Sequence, residues 1–234
     1  MPLYLCLAGF LVSMMILLGT LSVRKGMITI ASTACIPPAL SLDTVAGSPD
    51  ALTALFHWAI QQLHQPEIPV IVSAHTTSHY NPWTHRVSLA FPMEGGPWWT
   101  VHAVLHEAAH AAQSTRWQRI KTGYIVCTLL MVILLALSAP LWLSVICAMS
   151  AAACWIGTHI PLEHEADIQA GRLFVAYAQT SLGWEPRLVQ SVQEWVHQVT
   201  RRRYRIYWLE TLSQVALLST LWFALHLLRR HGLG

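Results

Sequence analysis

Between Lys121 and Glu163 the chain runs for 41 residues without a charged side chain. As a helix rising ~1.5 Å per residue, that run extends roughly 60 Å, about twice the hydrocarbon thickness of a bilayer. Ser138-Ala139-Pro140 interrupts it near the middle, so the stretch predicts two crossings joined by a tight turn. Leu3 to Val23, 21 residues with no charge, predicts another. No basic residue precedes that run and Arg24-Lys25 follows it, which are the flanks of an uncleaved anchor rather than a signal peptide. A fourth span is expected over about Ile206 to Leu228, with Glu210 and His226 near its ends and Tyr204, Tyr207, Trp208 and Trp222 suited to an interface. A composition of 54% hydrophobic and 11% charged residues agrees with a membrane setting.

Lysine and arginine prefer the cytoplasmic side of a membrane. Arg24, Lys25, Arg116, Arg119 and Lys121 flank the first two expected spans, and Arg201, Arg202, Arg203 and Arg205 precede the fourth. Both polar regions are therefore expected in the cytoplasm; only Arg229 and Arg230 point the other way. Five cysteines without a C-x-x-C pair give neither a disulfide framework nor a thiolate metal site. The net charge of +3 is partly juxtamembrane and implies contact with anionic lipid, a bilayer partner, and no nucleic acid. The eleven tryptophans read as interface anchors and packing.

Residues 24–121 form the stretch large enough to fold outside a bilayer. Ser48-Pro49-Asp50 is a helix start, with a hydroxyl cap, proline at the first helical position and an acid in the first turn, and a helix to about His64 is expected. Ile68 to Ser73 and Arg86 to Phe91 read as two strands or a small hairpin around the turn chemistry of Asn81-Pro82-Trp83-Thr84. Pro97 opens a helix expected to run to about Arg119, next to the start of the second span.

That helix carries "VLHEAAHAAQ", residues Val104 to Gln113. His106 and His110 are about 400° of helical turn apart, so both imidazoles point the same way, one turn from each other. Two zinc ligands fit there, and Glu107, about 100° round from His106, stands beside the metal, where a carboxylate can take a proton from the attacking water. The competing reading is a polar stripe on an amphipathic helix. A zinc hydrolase needs a third protein ligand and leaves its fourth position to water. "PLEHEADIQAG", Pro161 to Gly171, offers Glu163 or the neighbouring His164, which point about 100° apart on a helix, so one of the two is expected and Glu163 is preferred. A two-span hairpin would bring His110 and Glu163 to one surface. Asp167, one turn after Glu163, can orient a zinc-bound histidine through its other nitrogen. His102, one turn before His106, reads as a polar helix residue or as a partner of that same kind, and His75, His79 and His85 as loop histidines.

At these residues the chain resembles known families. The H-E-x-x-H motif followed by E-x-x-A-D, separated by a charge-free hairpin, looks like the integral-membrane gluzincins that include the bacterial heat-shock membrane protease and the CAAX prenyl proteases. A closer resemblance is to the small YugP-like membrane zinc metallopeptidases: "SHYNPWTHRVSLA", Ser78 to Ala90, and "HEAAHAAQ" are similar to that family's stretches, and the likeness extends from about residue 66 to the fourth span. The resemblance implies His106, His110 and Glu163 as ligands of one Zn2+ per chain and Glu107 as general base. Ala109 stands where the family more often has glycine, and Ile168-Gln169 where arginines often follow. The oxyanion stabiliser is therefore open among Arg172, His79, Tyr80 and Tyr177.

The expected fold class is a mainly α integral membrane protein: four transmembrane helices with a small α+β zincin-like cytoplasmic metallopeptidase region. Its parts are an anchor at 1–23, a cytoplasmic region with the zinc helix at 24–121, a two-span hairpin at 122–162, a cytoplasmic helical region with the third ligand at 163–205, and a last span and tail at 206–234. The expected location is a bacterial inner membrane with the active site facing the cytoplasm. The expected activity is hydrolysis of peptide bonds in membrane or membrane-proximal proteins, with the substrate extended along an edge strand such as Val87 to Phe91. A non-catalytic zinc-binding scaffold is the rival, and Glu107 argues against it because a structural zinc site needs no base.

Overall fold

A computed structural model describes residues 46–74, 77–93, 96–113, 115–138 and 141–230. They form five helices and a three-stranded sheet: α1 (Pro49–Gln62), β1 (Val70–Ser73), β2 (His79–Asn81), β3 (Arg86–Ala90), α2 (Gly96–Ala112), α3 (Thr115–Ser138), α4 (Leu141–Thr180) and α5 (Pro186–Arg230). They sort into two compact units, one of 46–119 with 162–204 and the other of 120–161 with 205–230.

Among the described residues no helix is long and apolar enough to cross a membrane. The expectation of an integral membrane protein with four transmembrane helices is corrected accordingly, and with it the placement in a bacterial inner membrane. Lack of charge alone does not make a crossing, which needs about 20 predominantly apolar residues in one helix, and the uncharged runs also carry serine, threonine, glycine and histidine. Here the runs share helices with strongly polar stretches. α3 opens on Arg116, Arg119 and Lys121, α4 carries Glu163, Glu165, Asp167 and Arg172, and α5 carries Arg201, Arg202, Arg203 and Arg205. The expected anchor at 1–23 lies outside the described residues, as do Ala139 and Pro140 of the expected turn.

The unit that holds 46–119 and 162–204 has its own core. Ser48 caps α1, its hydroxyl accepting from the backbone N–H of Ala51 at 3.1 Å, with Pro49 in the first turn. Leu52, Leu55, Phe56, Ala59 and Ile60 then fall on one face at helical spacing and are all buried. They meet Val87 and Leu89 of β3, Val101, Val104, Leu105 and Ala108 of α2, Phe174 of α4, and Val192 and Trp195 of α5. Trp98 packs against Phe174, Trp184 and Trp195 with ring centroids 5.3 to 5.9 Å apart. Trp184 and Trp195 are core residues and Trp98 packs against them, in keeping with the packing role expected for part of the tryptophans. Core packing of this kind holds α2 rigidly against α4 and α5, the three helices that carry the site.

The sheet order is β1-β3-β2. β1 and β3, the two stretches expected as strands, pair in parallel, Val70 opposite Val87. The hairpin is instead made by β2 and β3, which pair antiparallel around the Asn81 turn. There the Asn81 side-chain oxygen accepts from the backbone N–H groups of Trp83 at 2.9 Å and Thr84 at 3.2 Å. β3 is therefore the central strand and Val87 to Phe91 offers no free edge; the edges are β1 and β2. The cause is the short strand His79–Asn81, which occupies the side of β3 that a two-strand reading leaves open.

Candidate metal centre

α2 presents Trp99, His102, His106 and His110 along one face. The rings of Trp99 and His102 stack with planes 17° apart, and those of His102 and His106 with planes 20° apart. His110, one turn on, meets His106 edge-on at 4.5 Å between centroids. α2 ends at Ala112, and the continuous helix expected to Arg119 is broken there. The His110 carbonyl near that end accepts from the Gln113 backbone at 3.2 Å and from the Gln118 side chain at 2.6 Å.

Across from α2, α4 brings Glu163 and Asp167 on successive turns. Three Lewis-basic atoms converge: Nε2 of His106, Nε2 of His110 and Oε2 of Glu163. The two nitrogens are 3.0 Å apart, and the Glu163 oxygen lies 3.4 Å from His106 and 3.2 Å from His110. Ligands at ~2.0–2.1 Å from a tetrahedral metal would be ~3.3 Å from each other, so the three atoms already lie near one face of that coordination polyhedron. His106, His110 and Glu163 thus form a group that could hold a metal ion.

The far side of each ring is also engaged. Nδ1 of His106 lies 2.8 Å from Oδ1 of Asp167. Nδ1–H of His110 donates to Oε1 of Gln113 at 2.9 Å. A neutral ring with its proton on Nδ1 has its lone pair on Nε2, so in that form both Nε2 atoms can serve a metal beside a carboxylate oxygen.

Electrostatics around the group are strong. Burial disfavours charge on His106, as does the Arg203 guanidinium, but Asp167 and Glu163 outweigh both and push it up to about 9. Burial raises Glu163, yet hydrogen bonds and charge from His106 and His110 hold its carboxyl well below the usual carboxylate range. Asp167 is also held low against burial, chiefly by Arg203 and His106. Arg203 places Nε 2.9 Å from both oxygens of Asp167 and Nη2 3.3 Å from Nε2 of His106. Its guanidinium also lies over the Trp99 ring, 5.4 Å from the centroid.

Of the residues singled out in the sequence, His106, His110 and Glu163 are brought together, with Asp167 behind His106. Glu107, next in sequence to His106 on α2, is buried and supplies none of the group's three atoms. His164 stands apart from the group, its ring against that of Tyr204 at 4.6 Å. His102, read from the sequence chiefly as a polar helix residue, is fully buried, pushed down to about 3 by that burial, and makes no side-chain hydrogen bond among the described residues. Of the oxyanion candidates, Tyr80 pairs its hydroxyl with Nδ1 of His85 at 2.5 Å, Tyr177 meets Trp58 edge-on, and Arg172 is exposed. Arg203 and Gln113 were missed. Arg203 sits in the run Arg201-Arg202-Arg203, where no spacing distinguishes one arginine from the others. Gln113 was legible as a polar residue three positions after His110, the distance at which helical side chains meet.

No family model, curated protein or solved structure matches the chain.

Proposed function

We propose that this protein is a zinc-dependent metallopeptidase in which His106, His110 and Glu163 hold one Zn2+ and Glu107 is the general base. The observation that carries the reading is the trio of ligand atoms 3.0 to 3.4 Å apart, drawn from two separate helices, with a buried glutamate next in sequence to the first histidine. Two imidazoles and one carboxylate suit zinc, and three protein ligands leave a coordination position open, as in a catalytic rather than a structural site. The resemblance of "HEAAHAAQ" and "EHEAD" to membrane gluzincin motifs supports the same assignment.

Zinc in such a site supplies Lewis acidity, which lowers the pKa of water to roughly 7 and polarises a carbonyl. The chain's own groups then divide the work. Glu107 accepts the proton of the attacking water and returns it to the departing amine, so that the amide nitrogen leaves as a neutral group. Asp167 holds Nδ1–H of His106, so that Nε2 is the nitrogen left for the metal. Arg203 neutralises Asp167, so the buried carboxylate is not left as an unpaired charge. The substrate class is a peptide or protein.

The non-catalytic zinc scaffold makes a different prediction for one substitution. Glu107→Gln keeps the ligands but can neither accept nor return a proton. Purified parent and Glu107→Gln are both expected to contain about one zinc per chain, with casein or peptide hydrolysis lost in the variant by a factor of at least ~100. Equal hydrolysis by the two proteins would remove Glu107 as base. A parent that binds zinc and cleaves nothing would favour the scaffold.

A further inference from the structure

Gln113 touches both halves of the centre. Its Oε1 accepts from Nδ1–H of the ligand His110 at 2.9 Å, and its Nε2 donates to the backbone carbonyl of Leu162, next to the ligand Glu163, at 2.7 Å. The same Nε2 lies 3.4 Å from a carboxylate oxygen of Glu165. Gln118, buried, backs the arrangement: its Nε2 donates to the His110 carbonyl at 2.6 Å and approaches Oε1 of Gln113 at 3.4 Å. One amide therefore spans from the end of α2 to the ligand-bearing turn of α4, 49 positions away in sequence.

We infer that Gln113 is a positioning residue of the metal centre, a clasp that sets the tautomer of His110 and ties that histidine to the turn carrying Glu163. The inference rests on the metal-site reading above and extends it to a residue outside the ligand set. A neutral imidazole exposes only one bare nitrogen, and the hydrogen bond made by the other nitrogen decides which. His106 has a carboxylate for this purpose; His110 has the Gln113 amide oxygen. An amide can accept from His110 and donate to Leu162 at once, which a carboxylate or an apolar side chain cannot do. Without it, His110 is free to protonate Nε2, the atom that faces Glu163 and His106, and to rotate away from the shared point.

The test compares Gln113→Leu, which keeps bulk and removes both hydrogen bonds, with Gln113→Glu, which keeps the acceptor for His110 and loses the donor. Two readouts are taken on full-length protein: the tautomer of His110 in the metal-free state, by side-chain nitrogen NMR, and the affinity and visible spectrum of bound Co2+. Outer partners of metal-bound histidines typically change affinity by about 10–100-fold. Gln113→Leu is expected to lose the Nδ1–H tautomer of His110 and weaken Co2+ binding by that range. Gln113→Glu is expected to keep the tautomer and recover most of the affinity. A leucine variant with the parent's tautomer and affinity overturns the inference. So do leucine and glutamate variants equally weakened, which would show a packing role only. A parent that takes up no Co2+ removes the metal-site reading, and the metal-free tautomer comparison then decides whether Gln113 sets His110.

Discussion

At the scale of single residues, the site departs most from its sequence reading at His102. Its position, four residues before His106, put it on the correct face of the helix, but nothing local told that this face would be sealed by Trp99 and Trp195. A fully buried imidazole stays neutral because taking up a proton would place a charge in low dielectric. Its folded-state pKa of about 3 lies below its ordinary 6.5. The unfolded chain therefore binds a proton that the folded chain refuses, and this group's contribution to stability is lost as pH falls from 6.5 towards 3. His102→Phe keeps the stacked ring and removes the titration. The variant's unfolding free energy relative to the parent is expected to rise as pH is lowered through that window, by at most about 1.4 kcal/mol per pH unit. Urea unfolding at a series of pH values measures it; a difference that is flat with pH would mean that His102 takes up its proton in the folded state. His106 has the opposite sign: raised to about 9, it stabilises the metal-free fold fully below pH 6.5 and loses that contribution as pH climbs through 9.

At the scale of elements, helix ends and close approaches were the features least legible in the chain. No glycine or proline follows Ala112 before Gly123 to mark a stop, and Trp117 and Ile120 offer further apolar positions, so a continuous helix is the natural reading. At the end of α2, Gln118 donates to the His110 carbonyl, and Gln113 reaches across to the Leu162 carbonyl of α4, a bond that depends on where α4 lies. α4 in turn comes close to α5 at Gly171. A Cβ added there would lie 2.3 Å from Cγ1 of Val196, a contact no two non-bonded carbon atoms sustain. Val196 is β-branched and stiff in a helix, so it cannot swing aside cheaply. Gly171→Ala gains helix propensity of up to ~1 kcal/mol but forces these helices apart, at ~1–3 kcal/mol for overpacking. A net loss of stability is expected by chemical denaturation, and Val196→Ala is expected to restore most of it. An alanine variant as stable as the parent, or one that Val196→Ala fails to rescue, would show that the approach is not tight.

At the scale of the whole molecule, the metal group joins parts of the chain far apart in sequence, and a ligand that binds only the folded form stabilises it. Zinc at 100 times its dissociation constant adds about 2.7 kcal/mol. The parent is expected to melt several degrees higher with zinc than with a chelator. His110→Ala and Glu163→Ala should abolish that shift by removing a ligand, whereas His164→Ala should keep it, since His164 packs on Tyr204 away from the group. Loss of the shift in His164→Ala with its retention in Glu163→Ala would reverse the assignment of the third ligand. Differential scanning calorimetry of the four proteins at equal concentration decides between them.

Local spacing was enough to place His106 and His110 on one helical face with Glu107 beside them, because 3.6 residues per turn is a property of the helix itself. It was enough too for the cap at Ser48, whose hydroxyl reaches a backbone group only three residues away. The choice of Glu163 over His164 was open from spacing, and the structure brings Glu163 to the two histidines. Tertiary structure alone selected Arg203 from its row of arginines, buried His102, and made Gln113 a bridge between α2 and α4. It also placed β3 at the centre of the sheet and set the long uncharged runs in helices that the expected spans do not describe. Each of those outcomes depends on contacts between residues tens of positions apart, and a side chain's partners across such a distance are set by how the helices pack, which no local pattern in the chain encodes.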